Sequence, residues 1–271
     1  ILITIAIGFG SYSDIPFFRN LDNFFYDQFM KSLAPKEISD EITIIDIDET
    51  SLSVIGQWPW PRYRLANLVK ITQEMQPKIT GLDIFLPEPD RTSLKNIKKQ
   101  FQNDFDLNIG FTGVPSSLSD NDGYLAHILK TNDVVGAKYF YFDHYNKKED
   151  CKFNQFNVTD STGVLTLSKA TGVLCNTFQI ENSLRFTGFT NNQQDEDGII
   201  RQTPLLLEFN GDIYTHLSFS IFLKAQGIKQ AQVLKNHYGL YIKAGNFNIP
   251  ITKKGYVRIR FNGPARSYKF I

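Results

Sequence analysis

The chain has 271 residues, of which 42% are apolar and 14% aromatic, so it can bury a substantial core and is not globally disordered. Its 29 basic and 28 acidic residues leave a net charge of +1. This balance argues against nucleic-acid binding, a function that normally shows a basic excess or stripe.

The chain opens on an apolar stretch, Ile1 to Gly10, that is too short to span a bilayer, which needs about 20 residues. It is either a short buried strand or the outer end of a truncated transmembrane helix. We favour the second interpretation because Ser11 to Pro16 is typical of an exit from a membrane interface. From Phe17 to Leu33, apolar side chains recur at spacings of three and four, which predicts an amphipathic helix.

The stretch Glu41 to Asp90 predicts a strand, a helix and a second strand with short connections. The expected elements are a strand over Ile42–Ile47, a helix from about Arg62 to Met75, and a strand over Ile79–Phe85. Such a βαβ unit has parallel strands, and ligands of open parallel sheets bind at the carboxyl ends of the strands. Both strands place carboxylates near that edge, which is the main functional clue.

Further elements follow this stretch. Helices are predicted over 94–101, 120–130 and 217–226; strands over 106–114, 134–142, 184–190 and 199–209; and an antiparallel meander from Tyr238 onward. Residues 143–183 are polar and predict an excursion that contains a hairpin. The predicted fold class is therefore α/β, with a mixed, largely parallel central sheet, flanking helices, an antiparallel hairpin excursion and a C-terminal antiparallel meander, in a single domain.

The pattern Asp46-x-Asp48-x-Thr50 after an apolar strand resembles the first motif of haloacid dehalogenase-like phosphatases. In that family the first Asp is the nucleophile, the second is the general acid, and Mg²⁺ is shared. The family also needs a late acidic pair after an apolar strand, and no convincing pair is found. A Mg²⁺-dependent phosphatase is thus an alternative, not the preferred function.

The acidic residues at the predicted sheet edge allow two interpretations. Asp46, Asp48 and Asp83 could hold Ca²⁺ or Mg²⁺, or the acidic side chains could cap helices and turns. Trp58 and Trp60, in a Trp-Pro-Trp-Pro turn, could cover the core or form an aromatic wall for a ligand, with Arg62 pairing an anionic group. Our ligand-site hypothesis comprises Asp48, Trp58, Trp60, Arg62, Asp83 and Glu88.

Three groups of motifs are distinctive: Trp58-Pro-Trp-Pro-Arg62, Asp83-Ile-Phe85 followed by Glu88-Pro-Asp90, and Asp197-Gly-Ile-Ile-Arg201 followed by Pro204-Leu-Leu206. They resemble motifs of the CHASE2 family, which comprises extracytoplasmic sensor domains of bacterial membrane-bound signalling proteins. The resemblance covers nearly the whole chain. Arg260-Phe-Asn-Gly-Pro264 departs from the local order of the family's closing motif, which leaves the role of Arg260 open.

The resemblance implies a sensor domain over residues 11–271, without catalytic activity of its own, that follows a membrane helix ending in residues 1–10. It also implies further membrane helices and an output such as a histidine kinase, an adenylate or guanylate cyclase, or a diguanylate cyclase. The expected partners are a small-molecule or ion signal, the cytoplasmic membrane through flanking helices, and a second copy in a homodimer. A dimerisation spacer without a ligand is the other alternative.

The two cysteines, Cys151 and Cys175, are 24 residues apart, and this spacing alone is compatible with free thiols or with a disulfide. The location that the resemblance implies, outside the cytoplasm, favours the disulfide.

Overall fold

The computed structural model describes residues 16–33, 39–115, 118–143, 151–261 and 268–270. The described helices are α1 Pro16–Leu33, α2 Glu49–Ile55, α3 Arg62–Glu74, α4 Leu94–Phe105, α5 Asn121–Thr131, α6 Phe178–Ser183 and α7 Leu217–Ala225. The first seven strands are β1 Ser39–Ile44, β2 Thr80–Leu82, β3 Val134–Tyr141, β4 Asn157–Asp160, β5 Gly172–Leu174, β6 Phe186–Phe189 and β7 Gln202–Pro204. The others are β8 Leu206–Phe209, β9 Asp212–Thr215, β10 Gln230–Asn236, β11 Gly239–Ala244, β12 Phe247–Ile251, β13 Tyr256–Arg258 and β14 Tyr268–Phe270. The predicted α/β class is confirmed.

The chain divides into two compact units, Ile1–Gln57 with Ile259–Ile271 and Trp58–Arg258. The prediction of one domain over residues 11–271 stays a prediction. The proposed membrane-helix end at residues 1–10 lies outside the described residues. No helix in the described part of the chain has both the length and the apolar composition to cross a bilayer.

The first unit contains α1, β1, α2 and β14. The predicted amphipathic helix is confirmed as α1, and it exposes a row of large apolar side chains: Phe17, Leu21, Phe24, Phe25, Phe29 and Leu33. Strand β1 pairs in parallel with β14, and the Tyr26 hydroxyl donates to the Ile259 carbonyl oxygen. The start and the end of the sequence therefore meet within this unit.

The βαβ prediction for Glu41–Asp90 is wrong in its strand pairing. Strand β1 pairs with β14, whereas β2 pairs in parallel with β3, so the two predicted strands belong to different sheets. All three elements form: the helix as α3 over nearly its predicted range, and the strands as Ser39–Ile44 and Thr80–Leu82. The carboxylates after β1 and after β2 consequently do not share a sheet edge through strand pairing.

The second unit is built around a parallel arrangement of β2, β3 and β6, with β5 antiparallel to the later half of β3. Strand β3 is central and is buried on both faces over Val134–Lys138, which explains its nearly continuous apolar sequence. A second sheet has the order β12-β11-β10-β4, in which β10, β11 and β12 are antiparallel. The meander predicted from Tyr238 onward is confirmed for β11 and β12, whereas β13 pairs with β7 of another sheet.

Helix α7 lies between these two layers and contributes to two apolar clusters. Leu217 and Ile221 pack with Val135 and Ala137 of the parallel sheet. Phe219 and Leu223, on another side of the helix, belong to the cluster that includes the inner side chains of the second sheet, among them Val233 and Ile242 of β10 and β11.

Two further expectations are corrected. Residues 106–114 form no strand, and the segment 143–183 does not contain a hairpin within its described residues. Its two strands join different sheets instead, because β4 pairs with β10 and β5 pairs with β3. Cys151 and Cys175 form a disulfide with their Cα atoms 5.5 Å apart, so Cys151 is joined covalently to the residue that follows β5 within this segment.

Gly188 of β6 lies directly against the backbone of α7. A Cβ atom added there would lie 2.5 Å from Leu217 Cα and 2.7 Å from its backbone nitrogen. Because backbone atoms cannot move aside as a side chain does, we expect Gly188→Ala to lower the free energy of unfolding by about 3 kcal/mol in urea denaturation. Gly110→Ala is the matched control, since a Cβ there meets nothing within 4 Å. Equal stability of the two variants would contradict this packing.

His216 caps the start of α7. Its Nδ1 accepts a hydrogen bond from the Ser218 backbone N–H at 3.2 Å, while Nε2 is buried without a hydrogen-bond partner among the described residues. Burial lowers the pKa of His216 from 6.5 to about 4. The unfolded chain therefore binds the proton more tightly than the folded one.

This shift predicts an acid-dependent loss of stability. The stabilisation is fully present above pH 6.5 and is lost as the pH falls to about 4. It amounts to at most about 3 kcal/mol. His216→Asn keeps a capping oxygen but does not titrate, so its unfolding free energy should fall less over this range. If the unfolding free energies of the wild-type protein and of His216→Asn fell equally with decreasing pH, His216 would not be the titrating group.

Candidate functional site

Asp48 caps α2 in the first unit. Its Oδ1 accepts from the Ser51 backbone N–H and from the Ser51 hydroxyl, both at 2.8 Å. These hydrogen bonds stabilise the ionised carboxylate of the exposed side chain and so lower the pKa of Asp48. Asp46 is exposed and lies in the turn between β1 and α2. The structure thus gives Asp48 the capping role, one of the two interpretations left open by the sequence.

Trp58 and Trp60 lie side by side in the second unit, with ring centroids 6.0 Å apart. Trp60 is 5% exposed and Trp58 is 39% exposed, so only Trp58 presents a large aromatic surface to solvent. The peptide bond between Trp58 and Pro59 is cis. Trp60 has the core-covering role, and an aromatic wall could come only from Trp58.

The start of α3 is capped by a residue far away in sequence. Pro61, at the N-cap position, offers no side-chain hydrogen bond, and Asp90 Oδ2 accepts from the Arg62 backbone N–H at 2.7 Å instead. Asp90 Oδ1 accepts from the Thr92 N–H at 2.8 Å and from its hydroxyl at 2.7 Å. The Trp-Pro-Trp-Pro-Arg and Glu-Pro-Asp motifs are therefore parts of one hydrogen-bonded structure.

The same carboxylate also contacts α5. Asn121 Nδ2 donates to Asp90 Oδ2 at 2.9 Å, and the Asp90 N–H donates to Asp122 Oδ2 at 2.8 Å. Burial opposes ionisation of Asp90, but the hydrogen bonds from Arg62, Thr92 and Asn121 outweigh it and lower its pKa. For Asp122 burial prevails and raises the pKa. Asp90 thus fixes the 88–93 loop against the first turns of α3 and α5.

The Arg62 side chain is buried beneath this loop. Its Nη2 donates to the Glu88 carbonyl oxygen at 3.2 Å, and its Nε lies 3.6 Å from Asp122 Oδ1. Neither of these two buried atoms, Arg62 Nε and Asp122 Oδ1, has a hydrogen-bond partner in the part of the chain that the structure describes. Arg62 therefore holds the loop backbone rather than facing solvent, and it is not placed to pair an anionic ligand directly.

Glu88 is exposed at the rim of a groove. The groove has a volume of about 420 Å³ and lies between the 88–91 loop and one face of α4. Its polar lining comprises Glu88, Arg91, Lys99, Gln100, Asn103 and Asp104, together with Asn96. Glu88 Oε2 accepts from Arg91 Nη2 at 2.9 Å, and Asn96 Nδ2 donates to the Asp90 carbonyl oxygen at 2.8 Å. The groove is thus connected to the buried network through the loop backbone.

Asp83 follows β2. Nearby protein atoms shield its carboxylate from part of the solvent and raise its pKa, although the residue as a whole remains exposed. Asp83 does not line this groove. Among the described residues, no three Asp, Glu, His or Cys side chains come close enough to hold one metal ion. The geometry gives no support to a Ca²⁺ or Mg²⁺ site at Asp46, Asp48 and Asp83, which stays a prediction.

The sequence did not identify a buried ion pair beside the same loop. Lys138 of β3 and Glu181 of α6 are 1% and 3% exposed, and Lys138 Nζ contacts Glu181 Oε1. Glu181 Oε2 accepts from the Asn176 backbone N–H at 3.2 Å, and Asn176 Oδ1 accepts from the Leu86 N–H at 2.9 Å. A lysine inside an apolar strand was the available signal, because such a charge needs a buried partner.

Arg201 forms ion pairs within the loop 195–201 of the second unit. Its guanidinium pairs with Asp195 at 2.9 Å and with Asp197 at 2.7 Å, and this contact lowers the pKa of Asp197 to about 2. The Asp-Gly-Ile-Ile-Arg motif therefore forms a self-contained loop stabilised by its own first and last residues.

The family model of the CHASE2 domain matches residues 1–271, the whole chain. The chain belongs to the CHASE2 family. CHASE2 domains are extracellular sensor domains and not catalytic ones, so the phosphatase alternative is set aside. No curated protein and no solved structure matches the chain significantly.

Proposed function

We propose that this CHASE2 domain is the extracytoplasmic input domain of a bacterial membrane-bound receptor. The observation that carries the proposal is the family match over all 271 residues. The apolar stretch Ile1–Gly10, directly before the amphipathic α1, is consistent with a preceding membrane segment. In such a receptor the output is a histidine kinase, an adenylate or guanylate cyclase, or a diguanylate cyclase, and the domain acts as a homodimer on the periplasmic side.

Fusion of a reporter after Ile271 in the full-length gene tests the location. Alkaline phosphatase is active only outside the cytoplasm, whereas β-galactosidase is active only inside it. We expect the phosphatase fusion to be active and the β-galactosidase fusion to be inactive. The reverse pattern would contradict an extracytoplasmic location.

Within the domain, we propose the groove between the 88–91 loop and α4 as the signal-binding site. Glu88 and Asp104 are acidic, Arg91 and Lys99 are basic, and the neighbouring amides donate and accept hydrogen bonds, so a small polar molecule would find partners of each kind. The wall formed by the loop is continuous with Asp90. This site retains Glu88 from the sequence-based hypothesis.

Movement of the 88–91 loop would be transmitted to two helices. The Glu88 carbonyl oxygen accepts from Arg62, and the Asp90 carboxylate accepts from the first turns of α3 and α5. A bound molecule shifts this arrangement only if it binds one position of the loop more tightly than another. The Arg62–Asp122 pair, 3.6 Å apart and without hydrogen bonds between its facing atoms, is the least satisfied part of the network.

A groove-filling substitution tests this site. Compounds from a set of amino acids, sugars and divalent cations are first tested for a rise in the Tm of the purified domain. A compound that acts through the groove should lose its effect on Gln100→Trp, which fills the groove. It should keep its effect on Lys98→Trp, an exposed α4 position outside the groove. Equal effects on both variants would place the site elsewhere.

A further inference from the structure

A second cavity of the CHASE2 domain lies against the four-stranded sheet, on elements separate from the 88–91 groove. Its volume is about 580 Å³, within the range of small-molecule sites. The polar side chains that line it come from β4, β10, β11 and the turn before β10: Asn157, Thr159, Lys229, Gln230, Gln232 and Lys243.

Strand register brings these side chains into rows. Gln232 pairs with Thr159 on one side and with Lys243 on the other, and Gln230 pairs with Asn157. The alternate residues point to the opposite face, where Val158, Ala231, Val233 and Ile242 are buried in the core. One face of the sheet therefore serves the fold, and the other carries amide, hydroxyl and ammonium groups toward the cavity.

The charged side chains that line this cavity are all positive. Lys229 and Lys243 are exposed, neither forms an ion pair with a described residue, and no carboxylate is among the lining side chains. The nearest acidic residue in sequence, Asp160, uses its Oδ1 to accept from the Thr162 N–H and hydroxyl. In a chain whose basic and acidic residues almost cancel, this cavity is suited to an anion.

We propose that the cavity binds a small anionic sugar of the sugar-phosphate type. The two ammonium groups supply point charges that attract a phosphate. The Asn and Gln side chains offer amide donors and acceptors, of which Gln232 Nε2 already donates to Ser161 Oγ, and the Thr159 hydroxyl offers both, which matches the hydroxyl groups of a sugar. A row of such groups across three strands can contact several hydroxyls at once, and inorganic phosphate alone would leave most of them unused.

Calorimetric titration of the 271-residue chain at physiological salt tests this proposal, with glucose 6-phosphate as the probe. We expect binding to the wild-type protein, and about tenfold weaker binding to Lys243→Gln, because a charged hydrogen bond is lost. Lys253→Gln is the control: it removes the same charge from an exposed position in the turn between β12 and β13, outside the cavity.

Glucose and inorganic phosphate, each alone, should bind at least about tenfold more weakly than glucose 6-phosphate. The proposal is overturned if glucose 6-phosphate does not bind at millimolar concentration, if Lys243→Gln and Lys253→Gln bind it equally, or if phosphate alone binds as tightly. Gln100→Trp fills the other groove and should leave this binding unchanged. If glucose 6-phosphate does not bind, the proposal for the groove at the 88–91 loop is unaffected, because the two sites share no lining residue.

Discussion

Lys138→Met should lower the free energy of unfolding by about 3–5 kcal/mol, the largest single effect that we expect. Methionine has nearly the length of lysine but no charge, so the substitution leaves the Glu181 carboxylate 3% exposed and without its cation. Removing one partner of a buried ion pair costs more than the pair itself contributes, because the remaining charge stays desolvated. Urea denaturation at neutral pH measures the loss.

The double variant Lys138→Met/Glu181→Gln should recover most of that loss. The glutamine carbonyl can still accept from the Asn176 N–H, which now donates to Glu181 Oε2 at 3.2 Å, and no unpaired charge remains. Lys224→Met is the control, because its partner Asp133 is half exposed and such pairs contribute less than about 1 kcal/mol. If the double variant lost as much unfolding free energy as Lys138→Met and Glu181→Gln lose together, the buried pair would not be coupled as described.

Asp90→Ala is the second substitution with a large expected effect, a loss of about 3 kcal/mol. It removes the acceptor of the Arg62 N–H at the start of α3 and of the buried Asn121 amide at the start of α5. Both donors then stay buried without their charged partner, so two helix starts are weakened by one change. The loss is measured by urea denaturation.

Asp104→Ala is the matched control for Asp90→Ala. It is the same chemical change on the exposed face of α4, 14 residues later in the sequence, and should alter the stability by less than about 0.5 kcal/mol. If Asp90→Ala were as stable as Asp104→Ala, the joint cap would not hold the loop. The proposed route from the groove to α3 and α5 would then have no basis.

Local signals in the sequence were sufficient for most helices. Helix α3 follows a Pro-rich turn, α5 begins after a capping Asp120, and α7 ends before Gly227, which has a positive φ of 67°. Between β8 and β9, Asn210 and Gly211 both have positive φ values, which is the conformation that an Asn-Gly dipeptide favours in a tight turn. In each case the residues that determine the element lie within it or next to it.

Strand pairing could not be predicted in the same way. Strand β1 resembles the first strand of a βαβ unit, but its partner β14 lies more than 220 residues later, and no local pattern identifies such a partner. The same reason explains the wrong hairpin in residues 143–183: β4 and β5 have strand composition, but their partners β10 and β3 lie outside the segment. Strand β10 was not predicted at all.

The candidate site was predicted in part. The sequence identified the motifs around Trp58, Arg62 and Glu88, but it could not distinguish capping from ligand binding for the acidic residues. Asp90 accepts hydrogen bonds from the first residues of α3 and α5, and these contacts join residues about 30 positions apart in the sequence. The Lys138–Glu181 pair was missed because its two residues are far apart in sequence. Lys138 inside an apolar strand indicates that a buried partner is needed, but nothing local identifies Glu181 as that partner.

Reading the gene on both sides of this chain tests the central claim, that the CHASE2 domain is the input of a membrane receptor. The account predicts an apolar span that continues into Ile1–Gly10, further apolar spans after Ile271, and a kinase or cyclase domain beyond them. A stop codon soon after Ile271, with no apolar span on either side, would remove the means of passing a signal through a membrane and would contradict the claim.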